Sequence, residues 1–363
     1  MKKSFIFATL AVAMVTVSCS QDESLATYAT SDANAIDFKS YVPKSTRGTA
    51  INNATELQAT DFDVFAFEVS TNKQIMGTAT DGVKIAFTSG AWDYDQASEK
   101  AYWSDEAIDF YAVSPETLTN LTKNFTSATQ TLHYEASATC ADQKDVMYAS
   151  VKNATKGDRA GDNSNVATGA VKFNFNHALA QIVFKVKTYG KFEVDVNDIA
   201  VFAQKEGTFT YSTEAWTSVN GPQLYSIGLA APVTGIGTTA QEIGNASNAL
   251  LLIPQTFAKW STDKTNAVAL PTDRAYLKVS CKIRNDGGYI YADADNFKDI
   301  YMPIAINWVK GNKYIYTIGF GNTEGAAGGA GFDENGNPIL NDVLITFDAD
   351  VAGWTDASED VEL

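Results

Sequence analysis

Ala275-Tyr276-Leu277-Lys278-Val279-Ser280-Cys281-Lys282-Ile283-Arg284 alternates apolar residues with a wetter set, position by position. A period of two is that of an extended strand with one face buried and one face in water. Tyr314, Tyr316, Ile318 and Phe320 repeat the pattern, as do Val171-Lys172-Phe173-Asn174-Phe175, Ile182-Phe184-Val186, Phe192-Val194-Val196 and Val343-Ile345-Phe347. Phe62-Asp63-Val64-Phe65-Ala66-Phe67 is apolar on both faces, as expected of a central strand. Leu250 to Ile253, closed by Pro254, is a further short apolar run. Turn signals separate these runs: Asp81-Gly82, Ser89-Gly90, Glu206-Gly207, Asp286-Gly287-Gly288 and Lys310-Gly311-Asn312. Convincing helical periodicity is scarce. Many short strands with turns between them predict an all-β chain of antiparallel sandwiches.

Composition agrees and narrows the function. Aromatic residues make up 12% of the 363 and charged residues only 19%, which argues against disorder and for β-rich packing. The net charge of −16 repels phosphate backbones, so no nucleic-acid partner is expected. With only His133 and His177 as imidazoles, a histidine-rich metal site or a histidine-based triad has too few residues, and neither metal nor cofactor is expected. His177, between Phe175 and Leu179, reads as a core or turn histidine. Cys281 lies on an apolar strand face and reads as a buried thiol rather than as the partner of Cys140. Asp333-Glu334-Asn335-Gly336-Asn337-Pro338 has no twelfth-position Glu, because residue 344 is Leu344, and reads as a turn rather than a calcium loop. Trp92, Tyr94, Tyr102, Trp103, Trp216 and Trp260 lie near predicted loops or strand ends, where plugging a sandwich end is favoured over stacking on sugars. No catalytic constellation emerges, and the chain is expected not to be an enzyme.

The N-terminus carries an address. Lys2-Lys3 precedes an apolar stretch from Ser4 to Val17, too short to span a bilayer comfortably. It ends in Val15-Thr16-Val17-Ser18-Cys19, which resembles the lipobox of bacterial lipoproteins, with Thr16 where Leu is usual. That resemblance implies a signal peptide over 1–18, removal of which makes the net charge two units more negative, and fatty acylation of Cys19. Each buried CH₂ contributes about 0.8 kcal/mol, so two or three acyl chains hold firmly to an outer membrane. Ser20-Gln21-Asp22-Glu23 resembles an acidic signal for export to the cell surface. Residues 19–35 then form a lipidated flexible tether with a reach of at most about 50–55 Å.

The whole mature chain resembles the fimbrillin-like (Mfa-like) family of type V pilus subunits and surface adhesins. The match is carried, in order, by Ile36 to Val42 ahead of Ser45-Thr46-Arg47-Gly48, Ala101-Tyr102-Trp103, and Ile108 to Pro115. It continues through Gln143 to Ala149, Phe173 to Phe184, Leu252-Ile253-Pro254-Gln255, Trp308 to Tyr316 and Val351-Ala352-Gly353-Trp354. The resemblance implies two tandem transthyretin-like β-sandwich domains. The loosest interior stretch, 153–169, sets the expected domains at 36–165 and 166–363, with 36–47 a detachable first strand.

It also implies a mode of assembly. Family subunits are secreted as lipoproteins, cut after an arginine in the loop behind the first strand, and joined by a neighbour's strand filling the vacated groove. Ile36, Phe38 and Val42 sit at even spacing on one face of that first strand; Arg47-Gly48 occupies the processing position. Seating three or four apolar side chains contributes about 5–12 kcal/mol, comparable to a whole domain's stability of about 5–15 kcal/mol. The region of Val343, Ile345 and Phe347 is the candidate donor. Expected partners are other fimbrillin subunits, the outer membrane through the lipid, and a host or bacterial surface ligand. The residues after Trp354 are acidic and offer only Val361 and Leu363 as apolar side chains, which keeps open a tip-located or non-polymerising adhesin that binds glycans or proteins.

Overall fold

The computed structural model describes residues 35–41, 54–156, 170–263, 266–321, 331–339 and 345–353. Those residues are almost entirely extended, with one four-residue α-helix, Ala54–Leu57, and a few 3-10 turns. The alternating stretch beginning at Ala275 forms the strand Tyr276–Asn285, with Leu277, Val279, Cys281 and Ile283 all fully buried. Its turn, Asp286-Gly287, has both central residues at positive φ (50° and 83°), as does Ser89-Gly90 (55° and 85°). Two central residues in that region make the tight turn whose twist matches a hairpin, and glycine takes it without steric cost.

A seven-stranded sheet runs in the order Asn176–His177, Met147–Ala154, Ile108–Ser114, Phe62–Glu68, Val83–Thr88, Ala91–Tyr94, with Gln74–Met76 added beside Phe62–Glu68. Phe62–Glu68 is buried at every residue because both faces of this sheet are covered. Phe62, Val64 and Ala66 pack into a core with Ile36, Phe38, Val171, Phe173 and Phe175. Phe65 and Phe67 face a second core with Leu132, Tyr134, Phe209 and Tyr211.

The layer over that second face is a four-stranded sheet ordered Ala215–Asn220, Glu206–Thr210, Gln130–Glu135, Leu121–Phe125. It joins the two halves of the chain, since Glu206–Thr210 pairs antiparallel with Gln130–Glu135. Phe65 stacks on Phe125 at 3.9 Å between centroids, and the Tyr211 hydroxyl donates to the Ala112 carbonyl at 2.7 Å. Lys123 reaches from this sheet to the buried carboxylate of Asp63. Gln143 makes a further tie: its carbonyl oxygen accepts the Leu251 N–H at 2.7 Å, and its amide donates to the Ser137 carbonyl at 2.8 Å. Gln143→Leu orphans both backbone groups and is expected to lower stability by about 1–3 kcal/mol in urea unfolding.

The C-terminal half is a sandwich. One sheet runs Gln241–Glu242, Ala180–Thr188, Asn312–Phe320, Ile345–Gly353, with Leu250–Leu252 also on Ala180–Thr188. The other runs Gln223–Ser226, Phe192–Ala203, Tyr276–Asn285, Lys298–Pro303, Gly331–Phe332, Pro338–Ile339, with Val233–Ile236 and Gly288–Tyr291 alongside. Ile182, Phe184, Tyr316 and Ile318 of the first meet Val194, Ile199, Leu277 and Val279 of the second in one core. His177 ends the short strand Asn176–His177, ahead of a bend at Leu179; its Nδ1 lies 2.7 Å from an Asp145 carboxylate oxygen, both residues buried. Cys140 and Cys281 are free buried thiols, and burial pushes Cys140 up to about 11.

Candidate functional site

The strand Asp37–Tyr41 pairs with Ala170–Asn174 and runs parallel to it, in the register Asp37↔Ala170, Phe38↔Val171, Lys39↔Lys172, Ser40↔Phe173, Tyr41↔Asn174. These two strands form a sheet of their own. Their apolar side chains close one face of the seven-stranded sheet. Ala170–Asn174, numbered within the second expected domain, thus contributes Val171 and Phe173 to the core beside the leading strand.

Phe38 is 1% exposed. Its ring stacks on Phe173 at 5.9 Å and 7° between planes, and meets Tyr94 and Phe110 edge-on at 5.7 and 6.4 Å. Ile36 is fully buried, its N–H donating to the Ala101 carbonyl at 3.0 Å and its carbonyl accepting the Tyr94 hydroxyl at 3.0 Å. These two seats alone contribute about 3–6 kcal/mol of transfer free energy. Two polar groups of the strand, one on each face, fit less well. Burial raises the Asp37 carboxyl above its ordinary pKa, with Asp93 adding to the shift and Lys100 opposing it. The Ser40 hydroxyl is buried with no hydrogen-bond partner among the described residues.

The strand Ile345–Gly353 is attached differently. It pairs antiparallel with Asn312–Phe320 over nine residue pairs, from Phe320↔Ile345 to Asn312↔Gly353, at the end of its sheet. Ile345 is buried, whereas Asp348, Ala349, Asp350, Val351 and Ala352 are all exposed, Val351 by 59%. Backbone pairing holds this stretch, and its apolar side chains from Ala349 onward are in water.

Cys19, Val42, Arg47, Gly48 and Val343 lie outside the described residues; so does the side chain of Phe347, whose backbone pairs with Ile318. Trp92, Tyr94, Trp103 and Trp260 are buried, Trp216 is partly buried against the core, and Tyr102 is exposed. Among the described residues no group of three or more His, Cys, Asp or Glu is placed to hold a metal ion, and no helix is long and apolar enough to cross a membrane. Burial, unlike alternation, was not evident from sequence for the Asp37 carboxyl and the Ser40 hydroxyl. Both lie on a strand whose pairing partner is more than a hundred residues away.

A family model described as fimbrillin-like matches residues 46–354. A fimbrial protein from Bacteroides vulgatus ATCC 8482 is similar in structure with a TM-score of 0.59 at 16% identity, covering 89% of this chain and 100% of that one. A "putative cell adhesion protein" from Bacteroides ovatus ATCC 8483 gives a TM-score of 0.45 at 15% identity, covering 89% of this chain and 99% of that one. At 16% identity the likeness to the Bacteroides vulgatus protein is one of fold alone. No curated protein matches the chain.

Proposed function

The chain belongs to the fimbrillin-like family, and from that premise we propose that it is a structural subunit of a type V pilus, built at the cell surface by strand release and donor-strand exchange, and serving adhesion. Cys19 carries the lipid that anchors the precursor to the outer membrane. Cleavage between Arg47 and Gly48 frees the leading strand, and a terminal strand in the region of Val343, Ile345 and Phe347 fills the groove of a neighbouring subunit. The partners are other fimbrillin subunits, the membrane and a surface ligand.

The observation that carries this reading is the seating of the leading strand. Ile36 and Phe38 are buried to within 1% in a groove whose walls come from elsewhere in the chain. A groove this apolar demands an occupant, and a strand from another chain meets the demand as well as the chain's own. Arg47→Ala tests it: assembled wild-type protein is expected to run as heat-labile ladders on gels, and the variant as monomer. Undiminished ladders in the variant would discard the cleavage step.

A second reading is favoured by the acidic residues after Trp354. A tip-located or non-polymerising adhesin has the same fold and anchor but adds no further subunit. In electron micrographs, tagged protein along filaments supports the stalk subunit, and label at ends or scattered over the surface supports this alternative.

A further inference from the structure

A cavity well apart in sequence from the leading strand lies where the two halves of the chain are joined. Its volume is about 570 Å³, within the roughly 300–1,000 Å³ range of small-molecule sites. Both connections between the four-stranded sheet and the C-terminal sandwich border it. Lys205 and Glu206 follow the strand Phe192–Ala203, and Gly221, Pro222 and Gln223 follow Ala215–Asn220. Phe202 and Thr272 complete the wall. Hydrogen bonds hold that wall in place. The Lys205 N–H donates to the Asn220 carbonyl and the Lys205 carbonyl accepts the Ala136 N–H, both at 2.9 Å, while the Gln223 side-chain amide donates to the Ala136 carbonyl at 3.0 Å. Gly221 keeps the mouth clear: it takes φ +66°, and a Cβ there would stand 3.6 Å from Lys205 Cε and 3.7 Å from Glu206 Oε1.

The lining is mixed in character, and that selects the ligand. Phe202 is half-buried, with one face of its ring stacked on Tyr276 at 4.8 Å and 7° between planes. The rest of the ring and Pro222 give the cavity an apolar floor. Beside them stand the Glu206 carboxylate, whose Oε2 is 3.8 Å from His133 Nε2, the Lys205 ammonium, paired with Glu135 at 2.8 Å, and the exposed Thr272. A carboxylate accepts hydroxyl protons, while an ammonium and a threonine hydroxyl donate in return. Adjacent sugar hydroxyls meet both kinds of group, and a flat ring receives the C–H face of a pyranose as buried apolar area. A wholly apolar ligand would strip water from these charges and replace none of its hydrogen bonds. An anion is disfavoured, because Glu135 and Glu206 outnumber Lys205 and the whole chain carries −16. Resting on the adhesive role proposed above, we propose that the cavity binds a short, uncharged saccharide, one ring lying on Phe202 and its hydroxyls divided between Glu206 and Lys205. Binding there is independent of strand exchange.

A glycan array probed with the labelled full-length chain tests this, using oligosaccharides that end in neutral hexoses or N-acetylhexosamines beside their sialylated and sulfated counterparts. The parent chain is expected to bind neutral members. Glu206→Gln keeps the shape of the site but gives up its charge-assisted hydrogen bonds, and Phe202→Leu keeps apolar packing on Tyr276 but removes the flat ring. Each should weaken binding roughly tenfold or more. Urea unfolding checks that each variant keeps its fold, and either one alone decides the matter. Tyr102→Ala removes an exposed ring beside Ala35, outside the cavity, and should leave binding unchanged. Neutral glycans bound equally well by the cavity variants, or binding confined to sialylated or sulfated glycans, would overturn the saccharide site and leave adhesion standing. A parent chain silent on the whole array overturns the site as well. The adhesive role falls with it only if cells displaying the chain also fail to attach to an epithelial layer.

Discussion

Phe38→Ala is expected to destabilise the full-length chain by about 3–5 kcal/mol, the range for emptying a buried aromatic site. Phe38 is the point where the leading strand meets the rest of the molecule. It is 1% exposed, stacked on Phe173 and flanked edge-on by Tyr94 and Phe110. Ring pairs of this kind add about 0.5–1.5 kcal/mol beyond the area they bury. The walls come from the strands at 91–94 and 108–114 of the seven-stranded sheet and from 170–174 beside the leading strand, all closely packed in one core, so the site collapses poorly around a methyl group. Phe38→Leu keeps most of the volume and should lose less. Urea unfolding of the uncleaved protein reads both. A Phe38→Ala loss below about 1 kcal/mol, typical of a surface change, would mean that the groove does not depend on its occupant.

Lys123→Met is expected to cost a similar amount, about 3–5 kcal/mol, because it leaves a buried carboxylate without its cation. Asp63 is 3% exposed in the central strand, and Lys123 is ion-paired to it while also donating to the Glu116 carbonyl at 2.6 Å. Gly82 permits this packing; a Cβ there would stand 2.5 Å from that of Asp63. The effect carries a pH signature. Burial raises the folded-state pKa of Asp63 and Lys123 opposes the rise, so removing the lysine raises it further. A carboxyl with a raised folded pKa binds its proton more tightly in the folded state. Its contribution is therefore most favourable below the unfolded value near 3.8 and is lost as pH rises through the folded value. The stability deficit of Lys123→Met should be largest at neutral pH and narrow on acidification. A deficit that stays constant with pH would show that lost packing, not the uncompensated charge, is responsible.

Strands that bury one face announced themselves in the sequence, because alternation is local. Tyr276–Asn285 and Asn312–Phe320 were legible from their own side chains, and so was the doubly covered Phe62–Glu68 from its unbroken apolar run. The hairpin turns at Ser89-Gly90 and Asp286-Gly287 were legible for the same reason. What no local pattern could reveal was partnership. The four-stranded sheet draws two strands from residues 121–135 and two from 206–220, and nothing in either pair specifies the other. The parallel pairing of Asp37–Tyr41 with Ala170–Asn174 is equally non-local. At the candidate site the spacing of Ile36 and Phe38 was visible in the sequence. The aromatic socket that receives them was not, since Tyr94, Phe110 and Phe173 come from three separate strands. The same limit hid the like-charged pair Lys39↔Lys172, which exists only once the register is fixed.

The account turns on whether the first β segment leaves the subunit when copies join. Mass spectrometry of the N-terminus of protein taken from assembled surface fibres reads this directly. The account predicts chains that begin at Gly48, with residues 36–47 absent from the fibre. Fibres made of chains that still carry Ile36 and Phe38 covalently attached would contradict it.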